Sequence, residues 1–314
     1  MIAVHLDRGA LSVRNTPKPR LPKGHALIRL TLAGICNTDL ELKAGYYGFS
    51  GIPGHEFVGV VEQGPAEWLG KRVVGEINLA CGKCDWCARG FGRHCPRRTV
   101  LGIVKHPGAF AEYLTLPVEN LLAVPDSLPD FEAVFTEPVA AACEILEQVK
   151  IPKDTPVAVL GDGKLGLLIG QVLLAHGIAV HQFGRHKEKL DIVRQRGAVT
   201  GRKPKPASFP YVVDATGSAA GLAEAVALCQ PRGTVIMKST VHDRVAIDMA
   251  AVIVPEITLL GSRCGRFAPA LQLLAQRRID VLSLIHGEFP LADAVPAFAR
   301  AAEKGILKIL LRNA

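Results

Sequence analysis

Several things are missing from this 314-residue chain, and each absence removes a class of protein. The opening MIAVHLDRG has no apolar h-region and no cleavage site, so nothing there marks the chain for secretion. Its cysteines are accordingly expected to be reduced, in a cytoplasmic setting. No apolar run approaches the roughly eighteen residues that would span a bilayer, so no membrane association is expected. Lysine and arginine exceed the acidic residues, giving +8, yet there is no continuous polybasic tract. The densest stretches, 93–98, 185–189 and 202–205, are short and separate, which favours anionic small molecules as partners over nucleic acid. With 49% hydrophobic and 21% charged residues, the chain is too apolar to be disordered and long enough for two domains.

The strongest positive signal is a cysteine quartet, Cys81, Cys84, Cys87 and Cys95, in CGKCDWCARGFGRHC. Two Cys-x-x-Cys steps share their middle cysteine, so three thiolates can point inward from one tight loop. Four sulfur donors suit a tetrahedral, soft-ligand metal, and zinc is the expected occupant. An iron–sulfur cluster would call for a second cluster motif or a redox-partner surface, and the sequence offers neither. Disulfides are the other alternative, set against the reduced compartment. Because cysteines fill all four positions, His94 is not needed as a ligand.

The first third reads as short strands rich in Val, Ile and Leu between turn residues, at 25–36, 56–63, 71–77 and 108–117, which predicts a small barrel-like β domain. From about residue 155 the pattern changes to strand, glycine turn, helix and strand, repeated. Its centre is TPVAVLGDGKLGLLIGQVLLAHGIAV. An apolar strand at 157–160 leads into Gly161, Gly163 and Gly166, spaced G-x-G-x-x-G, and a helical period follows over 165–175 with Gly177 as its stop. The first glycine permits the tight turn, the second lets a pyrophosphate approach the backbone, and the third lets helix and strand pack closely. Further strands at 179–183, 211–214, 233–237 and 257–261, with helices at 187–196, 219–229 and 243–254, predict a doubly wound parallel α/β sheet. Residues 139–264 are assigned to this dinucleotide-binding domain, and 1–138 with 265–314 to the other.

One more absence is informative. At the end of the second strand, in HQFGRHKEK, an acid that would bind a ribose 2′-hydroxyl is missing. Gly184 and Arg185 occupy the place, with Lys187 and Lys189 close behind. A guanidinium can hold a 2′-phosphate by two parallel hydrogen bonds, so NADP is the expected cofactor, with NAD left open.

The β-rich third also contains Cys36 in GICNTDLELKAG and His55-Glu56 in GIPGHEFVG. Thiolate, imidazole and carboxylate are all zinc donors, and three protein ligands leave a fourth position open. Cys36-Asn37-Thr38-Asp39, Gly54-His55-Glu56, the cysteine quartet, Thr136-Glu137-Pro138 and the glycine loop occur in the order of the zinc-dependent medium-chain alcohol dehydrogenase superfamily. The chain resembles that superfamily over nearly its whole length, and in particular its polyol, threonine and glucose dehydrogenase branch.

The resemblance implies a GroES-like β-barrel catalytic domain beside a Rossmann domain, two zinc ions per chain, and hydride transfer between an alcohol, polyol or sugar and the nicotinamide. It implies that Cys36, His55 and Glu56 bind catalytic zinc. Glu137 would ligate directly or through water and exchange with Glu56. Thr38 would pass the proton outward, and Asp39 would orient His55. The quartet would brace a structural lobe. Lys164, Leu165, Asp214, Thr216, Gly217, Ser262 and Arg263 would line the cofactor, Lys308 would meet its pyrophosphate, and a homodimer or homotetramer would form. Glu41 stands where many relatives have a relay histidine, which leaves the relay beyond Thr38 undefined. Two other readings are a metal-free quinone or enoyl reductase of the same fold and a zinc-binding nucleic-acid protein, each with fewer zinc ions. Cys143, Cys229 and Cys264 are read as small buried hydrophobes.

Overall fold

A computed structural model describes residues 1–202, 204–240 and 244–313. The chain divides into two compact units, one of Met1–Glu137 with the segment from Leu284 onward, the other Pro138–Ser283. The return to the first unit thus comes at Leu284, later than the expected residue 265. The helix Phe267–Ala275 buries Phe267, Ala270, Leu271, Leu273 and Leu274, and the segment after it is tied back to the second unit by Gln171, whose amide bonds both the carbonyl and the N–H of Asp280.

The first unit is built on a seven-stranded sheet centred on His25–Gly34. That strand is long enough to pair Glu56–Gln63 along its length, Tyr113–Pro117 over its first half, and Lys308–Arg312 at its end. All three pairings are antiparallel. The C-terminal strand puts Leu310 opposite Gly34, which in turn faces Glu56. Three segments distant in sequence therefore meet at one bare glycine. Leu27, Ile28, Leu30, Leu32, Val58 and Val73 fill the core, with Phe110 edge-on to Phe298 at 5.7 Å. Burial on this scale supplies most of the folding free energy.

The second unit holds six parallel strands in the order Val199–Gly201, Val180–Phe183, Val157–Leu160, Phe209–Asp214, Cys229–Met237 and Thr258–Gly261. In chain order this is 3-2-1-4-5-6, the doubly wound arrangement expected from the alternating pattern. All four residues of Val157–Leu160 are buried, as a central parallel strand requires. The helix expected over 243–254 begins outside the described residues, and within them it is the single turn Ala250–Ile253.

Candidate active site

Cys36 is the N-cap of the helix Asn37–Lys43, placed there by the end of the strand His25–Gly34. Asp39, fully buried in the helix's first turn, accepts the Cys36 N–H through Oδ2 at 2.9 Å. Its Oδ1 accepts the Gly54 N–H at 3.2 Å and lies 3.4 Å from His55 Nδ1. One carboxylate thereby ties the backbone at Cys36 to the backbone at Gly54 and places its charge beside the His55 ring. Gly54 has φ +100°, and a side chain there would strike the Phe110 ring, so the turn that presents His55 requires glycine. Glu56 opens the next strand, and its carboxylate lies over Gly34, where any Cβ would collide with it.

The donor atoms of Cys36, His55 and Glu56 all lie within 4.8 Å of one another. Glu56 Oε1 is buried and accepts no hydrogen bond among the described residues. An orphaned carboxylate oxygen beside a thiol and an imidazole is what a cation would satisfy, and sulfur, nitrogen and oxygen donors together fit zinc. Burial alone would lower the pKa of His55, but Asp39 and Cys36 beside it carry it well above the usual value. The surroundings that favour a proton on His55 also favour a metal cation in its place.

Thr38 Oγ1 lies 3.7 Å from Cys36 Sγ and is half-buried, within reach of whatever binds at the thiol. Glu137, in the first turn of the helix Thr136–Gln148, is outside the converging set among the described residues, although its charge reaches Lys308. Lys308 departs from the expected pyrophosphate contact. Its ammonium is buried in an ion pair with Glu56 Oε2, 3.4 Å from the Ile35 carbonyl and 5.5 Å from the centre of the Phe135 ring. Burial would lower its pKa, but Glu56, Cys36 and Glu137 keep it raised. The register explains the contact: the C-terminal strand runs beside Gly34, and no side chain blocks the path from Lys308 to Glu56.

In the cysteine lobe, Sγ separations are 3.5 Å for Cys84–Cys87, 3.6 Å for Cys84–Cys95 and 3.9 Å for Cys81–Cys87. A zinc tetrahedron with Zn–S bonds of about 2.3 Å has edges of about 3.8 Å, whereas a disulfide brings its sulfurs to about 2.05 Å. All four are free thiols, so the spacing is that of a metal cage. A backbone N–H from Lys83 draws Cys81 down to about 6, while burial and its sulfur neighbours push Cys87 up to about 11. Crowded sulfurs share protons in this way until a cation replaces them.

In the second unit the expected cofactor residues follow the C-terminal ends of the parallel strands, where doubly wound sheets bind ligands. Gly161 has φ +116° and packs against the Ala215 carbonyl, and a Cβ on Gly166 would come within 2.6 Å of the Gly161 carbonyl. At Gly163 an added Cβ meets nothing within 4 Å, which leaves open space at the one glycine a pyrophosphate must approach. These three environments fit a dinucleotide. Lys164 and Leu165 open the helix Lys164–Ala175. Asp214 accepts hydrogen bonds from the Thr216 N–H and hydroxyl and from Ser239, which in turn accepts the Gly217 N–H. The buried Lys238 ammonium donates to Ser262 Oγ at 3.2 Å and to the Arg263 carbonyl at 2.7 Å, shaping that loop from within. Arg185 is exposed beside Gly184, and Lys189 is half-buried on the helix Lys187–Arg194.

Sequence reasoning missed two residues. Asp162 lies between the first two loop glycines and bonds the turn after Phe183. Lys238 directly follows the strand read at 233–237, and nothing in the sequence signals that it is buried. Cys143 and Cys229 are buried hydrophobes as expected, their thiols pushed up to about 12 and about 11 by burial, whereas Cys264 is only half-buried.

Comparison with known proteins agrees with this arrangement. Residues 22–126 match the alcohol dehydrogenase GroES-like domain and residues 165–276 the zinc-binding dehydrogenase domain. The chain is 30% identical to L-threonine 3-dehydrogenase of Chelativorans sp., with 94% of each chain covered. It is 28% identical to D-altritol 5-dehydrogenase of Agrobacterium fabrum, again with 94% of each covered. A zinc-binding dehydrogenase structure from Sinorhizobium meliloti, solved with NADP, superposes with TM-score 0.90 at 26% identity, over 99% of this chain and 98% of that one. An oxidoreductase with these two domains and this similarity over its length belongs to the zinc-type medium-chain alcohol dehydrogenase superfamily, in its polyol and threonine dehydrogenase branch.

Proposed function

We propose that this enzyme transfers hydride between a hydroxyl of a polyol or sugar and NADP, with its chemistry at Cys36, His55 and Glu56. The observation that carries the reading is the convergence of those three donors, one of them a buried carboxylate with an oxygen that has no partner among the described residues. The polyol names of relatives support the substrate class, and the NADP in a similar structure together with Arg185 supports the cofactor. Zinc, when bound, supplies a Lewis acid that lowers the pKa of an alcohol, and the nicotinamide supplies the hydride acceptor.

The chain's own residues do the rest. Asp39 anchors the backbone that carries Cys36 and the turn that carries His55, and its carboxylate lies 3.4 Å from the His55 ring. Thr38 Oγ1 accepts the substrate's hydroxyl proton as it releases its own to solvent, which its half-buried position allows. Lys308 neutralises Glu56 when that carboxylate has no other cation, and Glu137 adds a second acid that can take its place. The cysteine quartet, with no open coordination position, braces its lobe and takes no part in the reaction.

We also infer a homodimer or homotetramer. Thr258–Gly261 is a terminal strand with one neighbour among the described residues, and just before it Met249, Ile253 and Val254 are exposed. A bare edge beside an apolar patch is ordinarily covered by another chain. No described helix is long and apolar enough to cross a membrane. The test is a panel of alcohols, polyols and aldoses run with NAD and NADP alongside a zinc measurement. Turnover of simple alcohols only, or of no hydroxyl compound, would overturn the substrate class.

A further inference from the structure

The acid missing from the end of the second strand has a counterpart in the glycine loop. Asp162 reaches from between Gly161 and Gly163 to the turn after Val180–Phe183, and there its Oδ2 accepts the Arg185 N–H at 2.6 Å and the His186 N–H at 2.7 Å. His186 Nδ1 is 3.0 Å from the same oxygen. The carboxylate is mostly buried, its side chain 13% exposed. Burial would raise its pKa, but the two backbone N–H groups and the His186 ring hold it below the usual value.

Asp162 also explains the glycine. A Cβ at residue 184 would lie 2.6 Å from both Cβ and Oδ2 of Asp162, so no side chain, and in particular no acid, fits there while Asp162 keeps its place. A second bond ties the same two segments, from Gln182 Nε2 to the Gly161 carbonyl at 2.9 Å. The glycine loop and the turn that follows the second strand are therefore latched to each other in both directions. Donors held in advance lose less conformational freedom on binding.

We propose that Asp162 is a positioning residue that sets the dinucleotide preference. It fixes the 184–186 turn so that Arg185 and His186 can meet a 2′-phosphate, and it excludes from position 184 the acid that would select a free 2′-hydroxyl. The inference rests on the NADP reading given above.

Dissociation constants for NADP and NAD, measured by calorimetry on the zinc-loaded full chain, separate the two. The wild type and Arg185→Ala test the reading: NADP preference in the wild type, weakened by Arg185→Ala, supports it, and equal effects on both cofactors overturn it. Asp162→Ala and Asp162→Asn test the latch. Asp162→Ala should reduce the NADP-to-NAD preference about tenfold, mainly through weaker NADP binding, since two hydrogen bonds that fix the turn are lost. Asp162→Asn keeps an acceptor for the backbone N–H groups, stays folded, and should stay within about threefold of the wild type. If Asp162→Ala weakens both cofactors equally, if Asp162→Asn behaves like Asp162→Ala, or if either variant tightens NADP, the latch is overturned whatever Arg185 does.

Discussion

Replacing Lys308 by methionine isolates the buried charge at the centre of the first unit. Lys308 and Glu56 are each 1% exposed and paired to each other, so the substitution leaves a carboxylate in a dry site with the negative potential of Cys36 and Glu137 nearby. Removing one partner of a buried pair typically costs about 3–5 kcal/mol. In chelator, Lys308→Met should lose that amount, and Glu56→Gln, which strands the buried Lys308 ammonium, should lose a similar amount, about 3–5 kcal/mol. The double variant should be more stable than the sum of the two losses implies, because no charge is left unpaired. Both tryptophans, Trp68 and Trp86, lie in the first unit, so fluorescence during urea unfolding reports on the unit that contains the pair. Added zinc should shrink the Lys308→Met penalty by giving Glu56 another cation. Unfolding of chelated Lys308→Met within about 1 kcal/mol of the wild type, or strict additivity in the double variant, would refute the reasoning.

Three further outcomes are expected. Asp39→Asn should lower zinc affinity at the catalytic set about 10–100-fold, as loss of a carboxylate behind a ligand does, without disturbing the cysteine lobe; competition with a chromogenic chelator reads both sites. Arg185→Ala should raise the KM for NADP about 10–100-fold and leave that for NAD nearly unchanged, the worth of a charge-assisted contact. Asp162 has a folded pKa below its ordinary 3.8, so its stabilisation of the second unit is present above that pH and is lost as the pH falls below it. Asp162→Asn should remove that acid-limb dependence, which an acid titration monitored by circular dichroism detects.

Local patterns were legible in the sequence where the physics is local. The glycine spacing predicted the turn, the open approach and the close packing at Gly161, Gly163 and Gly166, and the alternation of elements predicted the parallel sheet. The cysteine quartet lies in one loop, so its spacing alone implied the cage. Lys308 was misread because its partner is 252 residues away and becomes visible only once the C-terminal strand pairs beside Gly34. The unit boundary was misplaced for a related reason: Gln171 bonding Asp280 is a long-range contact with no sequence signature. Asp162 escaped notice because a carboxylate in a glycine loop reads as a turn former until the backbone N–H groups it accepts are located.

Zinc content of the purified chain, measured together with polyol-dependent reduction of NADP, tests the central claim most directly. The account predicts about two zinc ions per chain in the wild type, a three-donor and a four-thiolate site. Cys36→Ser should keep its fold, retain one zinc and lose turnover. A wild type with a single zinc, or a Cys36→Ser variant that oxidises polyols at the wild-type rate, would contradict it.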